Sequence, residues 1–176
     1  MIGGLEDITS VKIYLDTELL NDVLPRDRRL SMAFQNYTLY KNFNTYENIA
    51  LGLRLRNFPL TVIDSRVKTA AKFLGIADIL DKKLKSISDA EKRRAALCRA
   101  IVDHTKVMLV GEDFARQDGN RRKEMISDIL KINTVMKITV LYVTNNYEEA
   151  VSLGKKIVLM KDGKITRIIP SAERTD

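Results

Sequence analysis

The chain has 176 residues, which is enough for one domain with a hydrophobic core and too few for two ordinary domains. Its apolar share of 45% and charged share of 30% are typical of a globular protein rather than a disordered one. No apolar run approaches the roughly 18 residues of a membrane span, and the first residues do not resemble a secretory signal. A single cysteine excludes an internal disulfide. We therefore expect a cytoplasmic protein that does not insert into a membrane.

The net charge of +7 suggests an acidic partner, such as nucleic acid, only if the basic residues are organised for one. They fall instead into short clusters without interleaved aromatic residues: Arg26 to Arg29, Lys82 to Lys85, Lys92 to Arg94 and Arg121 to Lys123. We interpret these clusters as solvated helix faces and expect no nucleic-acid partner. Cys98 and His104 each lack a second ligand type at a metal spacing, so no metal site is predicted.

The first predicted elements are strands. Val11 to Leu15 alternates apolar and polar residues, and Leu30 to Phe34 forms a second short strand. The period becomes helical from Thr45, because apolar residues recur at i, i+3, i+4 and i+7: Tyr46, Ile49, Ala50 and Leu53.

Further helices follow Pro59. Thr61 with Asp64 three residues later predicts a capping box for a helix that ends near Gly75. A short helical piece is expected at Ile76 to Leu80, and a longer helix opens at Ser88 and runs to about Val102.

The last third alternates strands and helices. Val107 to Val110 and Ile138 to Val143 read as strands buried on both faces, and helices are predicted at Gly119 to Asn133 and Tyr147 to Leu153. The chain then predicts a hairpin with an Asp-Gly turn: Ile157 to Met160, Asp162-Gly163 and Ile165 to Ile169. This alternation is typical of an α/β fold built on a parallel sheet.

Six short motifs follow one another in a distinctive order: Leu30 to Tyr40, Tyr46 to Leu53, Ile87 to Val102, Val107 to Glu112, Leu141 to Thr144 and Met160 to Gly163. From Gly4 to about Ile169 the chain thereby resembles the ATPase subunits of carbohydrate-importing ATP-binding-cassette (ABC) transporters. The resemblance implies a single ABC-ATPase-like domain over 1–170, followed by a tail at 171–176. Its fold class would be α/β, an incomplete P-loop-NTPase-like parallel sheet core with an inserted helical subdomain at about 44–103.

One family motif is absent from the sequence. The phosphate-cradling loop GxxxxGK[ST] occurs nowhere, and Lys12 lies on a predicted strand where it cannot replace the missing lysine. By resemblance, the chain is expected to start about where the P-loop helix ends. In relatives the P-loop strand lies between the strands similar to Ile138 to Val143 and Ile157 to Met160. Buried unpaired backbone groups cost about 1–3 kcal/mol each, so either these two strands close up, or another segment fills the slot, or the isolated chain is poorly stable. For a well-ordered protein we expect closure or a substitute strand.

The signature motif keeps its serine and loses its glycines. Ser88 is followed by Asp89 and Ala90 where the family has two glycines whose amides contact a γ-phosphate. A carboxylate about 4 Å from a phosphate would cost on the order of 4 kcal/mol at an effective dielectric of about 20. Ser88 is therefore interpreted either as a phosphate ligand or, preferably, as a helix cap that forms a capping box with Glu91.

The other family positions are mixed. Gly111 stands where the family has the Asp that holds Mg²⁺, and Asn145 stands where it has a γ-phosphate histidine. Glu112 occupies the general-base position and is expected to be inactive without metal or phosphate. Gln35 and Asp118 match the Q-loop glutamine and the D-loop aspartate. By resemblance we expect neither ATP nor Mg²⁺ as a cofactor of this chain.

Partner binding is the family role that the substitutions at the nucleotide-handling positions leave unaffected. In the family, the Q-loop region receives a short helix of a membrane subunit, and four residues here would line that groove: Tyr37, Leu39, Tyr40 and Phe43. These residues could equally pack the join between the sheet and the helical subdomain. A homodimer and a peripheral location at the inner face of the cell membrane are further implications of the resemblance.

Two main functional hypotheses remain open, beside a third that rests on the net charge alone, a basic adaptor that binds acidic partners. The first is a degenerate ABC-transporter nucleotide-binding-domain-like protein that does not hydrolyse ATP alone and retains docking to a membrane subunit. The alternative is an ATP-binding subunit of a sugar importer whose P-loop lies in upstream sequence, with ATP and Mg²⁺ as its cofactors.

Overall fold

A computed structural model describes residues 1–8, 10–33, 39–111 and 119–170, with residues 119–121 described by their backbone only. The strands are β1 (Tyr14–Leu15), β2 (Glu18–Leu19), β3 (Leu30–Ala33), β4 (Val107–Val110), β5 (Thr139–Tyr142), β6 (Lys156–Lys161) and β7 (Lys164–Pro170). The helices are α1 (Thr45–Leu55), α2 (Leu60–Phe73), α3 (Asp89–Ile101), α4 (Gly119–Met136) and α5 (Tyr147–Leu153). Short 3-10 turns lie at Pro25–Asp27, Ala77–Ile79 and Leu84–Ser86.

The centre of the fold is a three-stranded parallel sheet in the order β3-β4-β5. β4 is its middle strand, and three of its four residues are buried. The register aligns Met32 with Leu109, and Leu109 with Leu141, so these three side chains form one row across one face of the sheet. The predicted α/β class with a parallel sheet is thus observed.

Helices α1, α2 and α3 follow β3 and precede β4 in the chain. α1 begins with a capping box in which the Asn44 side chain accepts from the Glu47 amide, and α3 begins with the predicted capping box of Ser88 and Glu91. α2 ends before Gly75, whose φ of +68° suits glycine and lets the Ile76 amide reach the Ala71 carbonyl.

A hydrophobic core joins these helices to the sheet and to α4. Its residues with no exposed surface include the following: Ile49, Ala50, Leu53, Val67, Ala71, Ile79, Leu97, Cys98, Met108, Met125 and Ile132. The helical periodicities of α1 and α4 place their own members of this list inward, as the sequence predicted: Ile49, Ala50, Leu53, Met125 and Ile132. α4 continues past Asn133 to Met136, so it is slightly longer than predicted.

The first predicted strand is mostly wrong. Only Tyr14 and Leu15 of the range Val11 to Leu15 form a strand, and they pair with β2. The reason is a side chain that takes over the backbone bonds: Asn21 Oδ1 accepts from the Ile13 amide at 3.0 Å, and Asn21 Nδ2 donates to the Val11 carbonyl at 2.9 Å. An Asx-type side chain can compete with strand pairing in this way.

The predicted capping box of Thr61 and Asp64 is also wrong. α2 begins at Leu60, directly after Pro59 at the N-cap position, with no side-chain cap. Proline already fixes a φ that suits a helix start. Asp64 instead forms an ion pair with Lys68 at 2.8 Å one turn later.

β5 differs from the expected strand buried on both faces. Its burial alternates, with Thr139 and Leu141 exposed and Val140 and Tyr142 half-buried. Among the described residues β5 pairs with β4 alone. The expectation that β5 and β6 close up, or that a substitute strand fills the space between them, is therefore wrong for the described part of the chain. One edge of β5 is left open because no other described strand reaches it.

The C-terminal hairpin is confirmed. β6 and β7 pair antiparallel, and the turn residues Asp162 and Gly163 have φ values of +50° and +73°. Two consecutive positive φ angles are typical of the type I′ turn that an Asp-Gly pair favours. The hairpin forms its own two-stranded sheet.

A separate observation concerns membranes: in the described parts of the chain, none of the helices combines the length and the apolar character that crossing a bilayer requires.

Candidate functional site

The carboxyl ends of the three parallel strands define the candidate site, because ligands of open α/β sheets bind at this edge. β3, β4 and β5 end at Ala33, Val110 and Tyr142. Four of the predicted site residues lie outside the described residues, and their predicted roles stay predictions: Gln35, Tyr37, Glu112 and Asp118. Gly111 and Asn145 lie at the ends of β4 and β5 and can be placed.

Gly111 directly follows the central strand. Its amide donates to the Ala33 carbonyl at 3.3 Å, which continues the pairing between β3 and β4 by one residue. A Cβ built at Gly111 would meet no heavy atom of the described residues within 4 Å, and its φ is not in the left-handed region. In the part of the chain that the structure describes, nothing therefore requires a glycine at this position.

Asn145 lies in an exposed turn between β5 and α5. The turn is ordered on both sides: the Asn146 amide donates to Thr144 Oγ1 at 3.0 Å, and Asn146 Oδ1 accepts from the Glu149 amide at 3.1 Å. Asn146 thus caps α5, and the exposed Asn145 is held at the edge where the sheet strands end.

A buried carboxylate lies beneath this turn. Glu149 is 5% exposed, and its Oε2 accepts from the hydroxyls of Thr144 at 2.7 Å and Tyr142 at 3.3 Å. Its Oε1 lies 2.9 Å from Arg122 Nε, an ion pair without the alignment of a hydrogen bond. Burial, and secondarily the charge of Glu149, raises the pKa of Tyr142. The carboxylate therefore joins the end of β5, the first turns of α4 and the start of α5.

Sequence reasoning missed this cluster. The only local signal is the spacing from Asn146 to Glu149, which indicates a helix start. Glu148 and Glu149 are adjacent acids in a first helical turn, where acidic residues suit the helix dipole at the surface. The burial of Glu149 depends on Arg122, which comes from a different helix and cannot be paired with it from local pattern.

Ser88 is the N-cap residue of α3. Its amide and its hydroxyl donate to Glu91 Oε2 at 2.6 and 2.7 Å, and the Glu91 amide donates back to Ser88 Oγ at 3.2 Å. The bond from the Ser88 side chain is the main reason that the pKa of Glu91 lies below its ordinary value. The neighbouring Asp89 carboxylate pairs with Lys92 at 3.0 Å. The capping-box interpretation of Ser88 is thus confirmed, and the first turn of α3 presents carboxylates rather than glycine amides.

The described residues that were predicted to dock a partner differ in their exposure. Leu39 packs against the hydrophobic core, which agrees with the packing alternative for this residue. Tyr40 is 53% exposed, and its ring centroid lies 5.6 Å from that of the half-buried Phe43. Tyr40 and Phe43 therefore form a small aromatic surface beside the core.

Asn48 fixes the loop that carries these aromatic residues. It is fully buried, and its Oδ1 accepts from the Tyr40 amide at 2.7 Å. Its Nδ2 donates to the carbonyls of Tyr40 at 3.2 Å and Asn44 at 2.9 Å. One side chain thus bonds backbone groups at both ends of the turn. An Asn next to the apolar residues of α1 was the signal that could have revealed it.

Metal-ligating side chains do not cluster in the described ranges, where three or more His, Cys, Asp or Glu side chains nowhere come together as a possible site. Cys98 belongs to the core, donates to the Ala70 carbonyl at 3.3 Å and has a pKa raised by burial. His104 is exposed in the turn before β4, with a φ of +50°.

Comparisons with known proteins agree with this architecture. A family model described as "ABC transporter" matches residues 1–115. The oligosaccharides import ATP-binding protein MsmX of Bacillus subtilis is 42% identical over 168 residues, which cover 96% of this chain and 46% of MsmX. The multiple sugar-binding transport ATP-binding protein MsmK of Streptococcus mutans is 41% identical over 164 residues, 93% of this chain and 44% of MsmK. The chain spans about half the length of these curated relatives.

Solved structures share the fold at low identity. CbiO1 from Clostridium perfringens, part of the ABC transporter complex cbiONQ, superposes with a TM-score of 0.85 at 21% identity and covers 98% of this chain and 70% of that chain. The ATP-binding cassette MJ0796, a dimer bound to ADP and Pi, superposes with a TM-score of 0.77 at 22% identity over 96% of this chain and 77% of that chain.

Proposed function

Because this chain belongs to the ABC transporter family of ATP-binding proteins, we propose that it is a degenerate nucleotide-binding-domain-like protein of the sugar-importer type. In this proposal it does not hydrolyse ATP alone and binds a membrane subunit, from the inner face of the cell membrane. The names of MsmX and MsmK, which refer to oligosaccharide import and sugar transport, support the importer class.

Gly111 is the observation that carries the proposal. Phosphoryl transfer depends on metal ions that neutralise the charge developing on the phosphates, and carboxylates at strand ends are common metal ligands. Gly111 directly follows β4, and a Cβ built there would meet no heavy atom of the described residues within 4 Å. Asn145, at the end of the neighbouring strand, can donate hydrogen bonds but carries no positive charge.

The signature helix supports the same conclusion. The Ser88 hydroxyl donates to the Glu91 carboxylate, and Asp89 places a second carboxylate in the first turn of α3. A phosphate approaching this helix start would meet two acids whose charges oppose it. The proposal therefore assigns Ser88 to helix capping rather than to nucleotide binding.

Docking is proposed at the aromatic surface of Tyr40 and Phe43. Tyrosine and phenylalanine are enriched at protein interfaces because they combine large apolar area with few rotatable bonds. Asn48 holds their loop in place, so the surface is formed before a partner arrives. Such preorganisation lowers the entropic cost of binding.

The nucleotide part of the proposal is tested by titrating the purified chain with a fluorescent ATP analogue and Mg²⁺, alongside an ATP-turnover assay. We expect neither submillimolar binding nor turnover. Gly111→Asp should keep the fold, because the position has room, and should still show no turnover because phosphate and histidine contacts remain missing. Turnover by the unmodified chain that is lost in Glu112→Gln would overthrow the proposal.

The docking part is tested by co-purification with the membrane subunit of a sugar importer. Tyr40→Asp should abolish co-purification, whereas Tyr14→Asp serves as a matched control, because the two tyrosines are 53% and 56% exposed. Equal co-purification of both variants would remove the aromatic surface from the proposal.

A second candidate is an active ATP-binding subunit completed by a phosphate-binding segment outside these residues. The identity of 42% to MsmX, of which this chain covers 46%, favours it. It differs from the first proposal in one measurable outcome: joining this chain to such a segment would produce Mg²⁺-dependent turnover that requires Glu112.

A further inference from the structure

A cleft between α1, α2 and the segment that follows α2 shares no lining residue with the candidate site at the strand ends. Its volume is about 660 Å³, within the range of roughly 300–1,000 Å³ that is typical of ligand pockets. The residues that line it include Tyr46, Asp64, Lys68, Lys72, Leu80 and Asp81.

Backbone hydrogen bonds hold the walls of this cleft together. The Tyr46 amide of α1 donates to the Leu80 carbonyl at 2.8 Å, and the Thr45 amide donates to the Lys82 carbonyl at 3.0 Å. The lining residues at 64, 68 and 72 follow one another at intervals of one turn of α2, so they lie on the same side of that helix. The cleft is therefore formed before a ligand arrives, which lowers the entropic cost of binding one.

The lining contains two lysines and two aspartates, of which one pair is already joined. Lys68 Nζ lies 2.8 Å from Asp64 Oδ2. The hydrogen bond from Asp64 is the main cause that raises the pKa of Lys68, and Tyr46 and Asp81 act in the same direction because they lie close by. In the part of the chain that the structure describes, the Lys72 ammonium and the Asp81 carboxylate have no ion-pair or hydrogen-bond partner. The cleft thus presents an unused donor and an unused acceptor beside a fixed ion pair.

The balanced charge of the lining disfavours ions as ligands. An anion attracted to the two lysines would also meet two carboxylates, and a cation would also meet two ammonium groups. A hydroxyl group both donates and accepts hydrogen bonds, so a polyhydroxylated molecule can use the lysine donors and the carboxylate acceptors together. The Tyr46 ring and the Leu80 side chain add apolar surface that the C–H groups of a sugar ring can contact.

We propose that this cleft binds a neutral oligosaccharide. Asp81 accepts hydrogen bonds from the sugar hydroxyls and Lys72 donates to them, while the ion pair of Asp64 and Lys68 stays intact. A free amino acid could also match Lys72 and Asp81, but it would leave most of the cleft unfilled. Binding requires neither ATP nor a membrane subunit, so the site goes beyond the proposed function. Only a role in sensing imported sugar would rest on the proposed importer class.

An NMR titration of the full chain with maltotriose, a neutral trisaccharide, tests the proposal. We expect saturable shifts in the millimolar range for the amides of Tyr46 and of residues 64–72 and 77–81. The zwitterion alanine and inorganic phosphate should cause none at the same concentrations. The proposal is overturned if maltotriose causes no saturable shifts, if its shifts lie outside these residues, or if alanine or phosphate binds as tightly.

Two pairs of variants at exposed positions locate the binding site. Asp81→Ala and Lys72→Ala should each weaken maltotriose binding by about tenfold, because a hydrogen bond to a charged group is lost. Asp78→Ala and Lys123→Ala are the matched controls and should bind as well as the unmodified chain, because neither residue lines the cleft. Equal losses in the controls, or unchanged binding by Asp81→Ala and Lys72→Ala, would also overturn the proposal. ATP turnover and co-purification through Tyr40 can succeed or fail independently of all these outcomes.

Discussion

The helices between β3 and β4 and the strands after residue 138 show opposite relations between sequence and burial. α1, α2 and α3 bury most of their apolar residues, and Leu53 on α1 has no exposed surface. In β5 and the C-terminal hairpin, apolar residues of the same kind are exposed, including Leu141 at 43% and Met160 at 65%.

The difference shows what each kind of element needs from its neighbours. A helix satisfies its backbone internally, so three helices can bury their apolar faces against one another and a single sheet edge. A parallel sheet is typically covered by other elements on both faces. The three helices have their neighbours, whereas in the described residues Leu141 and Val143 on one face of β5 are exposed.

The largest predicted effect is a difference in the free energy of unfolding between variants of two leucines, one from each region. Leu53→Ala should lower the free energy of unfolding by about 2–5 kcal/mol, because it leaves a cavity among fully buried residues. Leu141→Ala should lower it by less than about 1 kcal/mol, because its side chain is already in contact with water. Urea denaturation of both variants measures the difference. Equal losses would contradict the comparison and would show that Leu141 is covered in solution.

A smaller effect on the free energy of unfolding is expected at Glu149, the buried carboxylate beneath the turn that follows β5. Glu149→Gln should lower the free energy of unfolding by about 1–3 kcal/mol, because Arg122 and two hydroxyls lose a charged acceptor. The exposed neighbour Glu148→Gln should change it by no more than about 0.5 kcal/mol. Urea denaturation at neutral pH distinguishes them. Similar behaviour of the two variants would mean that the Glu149 cluster does not stabilise the start of α5.

The smallest effect concerns the cap of α3. Ser88→Ala should lower the free energy of unfolding by about 1 kcal/mol and should raise the pKa of Glu91 towards its ordinary value. Because the pKa of Glu91 is lowered in the folded protein, its contribution to stability is present at neutral pH. That contribution is lost as the pH falls through the folded pKa.

Carboxyl titration by NMR measures the Glu91 shift in both proteins. Ser65→Ala, at an exposed position inside α2, is the control and should leave the Glu91 titration unchanged. An unaltered pKa in Ser88→Ala would show that another group holds the Glu91 carboxylate.

The elements predicted correctly from the sequence are those fixed by local pattern. The apolar period of α1, the Ser88 to Glu91 spacing of α3 and the Asp162-Gly163 turn each specify a conformation through residues that lie close in the chain. The errors fall where another residue takes over a role that the local pattern assigns elsewhere: Asn21 binds the Ile13 amide, and Pro59 rather than Thr61 starts α2.

The candidate site shows the same division. The sequence alone identified Gly111, Asn145 and the pair Asp89-Ala90 as departures from the motifs of the family that the comparisons then showed. It gave no sign that Glu149 is buried against Arg122, or that Asn48 holds the loop of Tyr40. Both depend on contacts between elements that no local periodicity encodes.

By itself, then, the sequence determined the helices, the strands from β3 onward, their order along the chain and the missing carboxylate after β4. Only the tertiary structure decided which side chains meet: Leu39 packs against the core, Tyr40 is exposed and Glu149 is buried. It also decided that β5 pairs with β4 alone among the described strands. The physical reason is the separation along the chain over which each kind of interaction acts. Helix and turn preferences act over a few residues, whereas strand partners and buried ion pairs are chosen among all segments that the fold brings together.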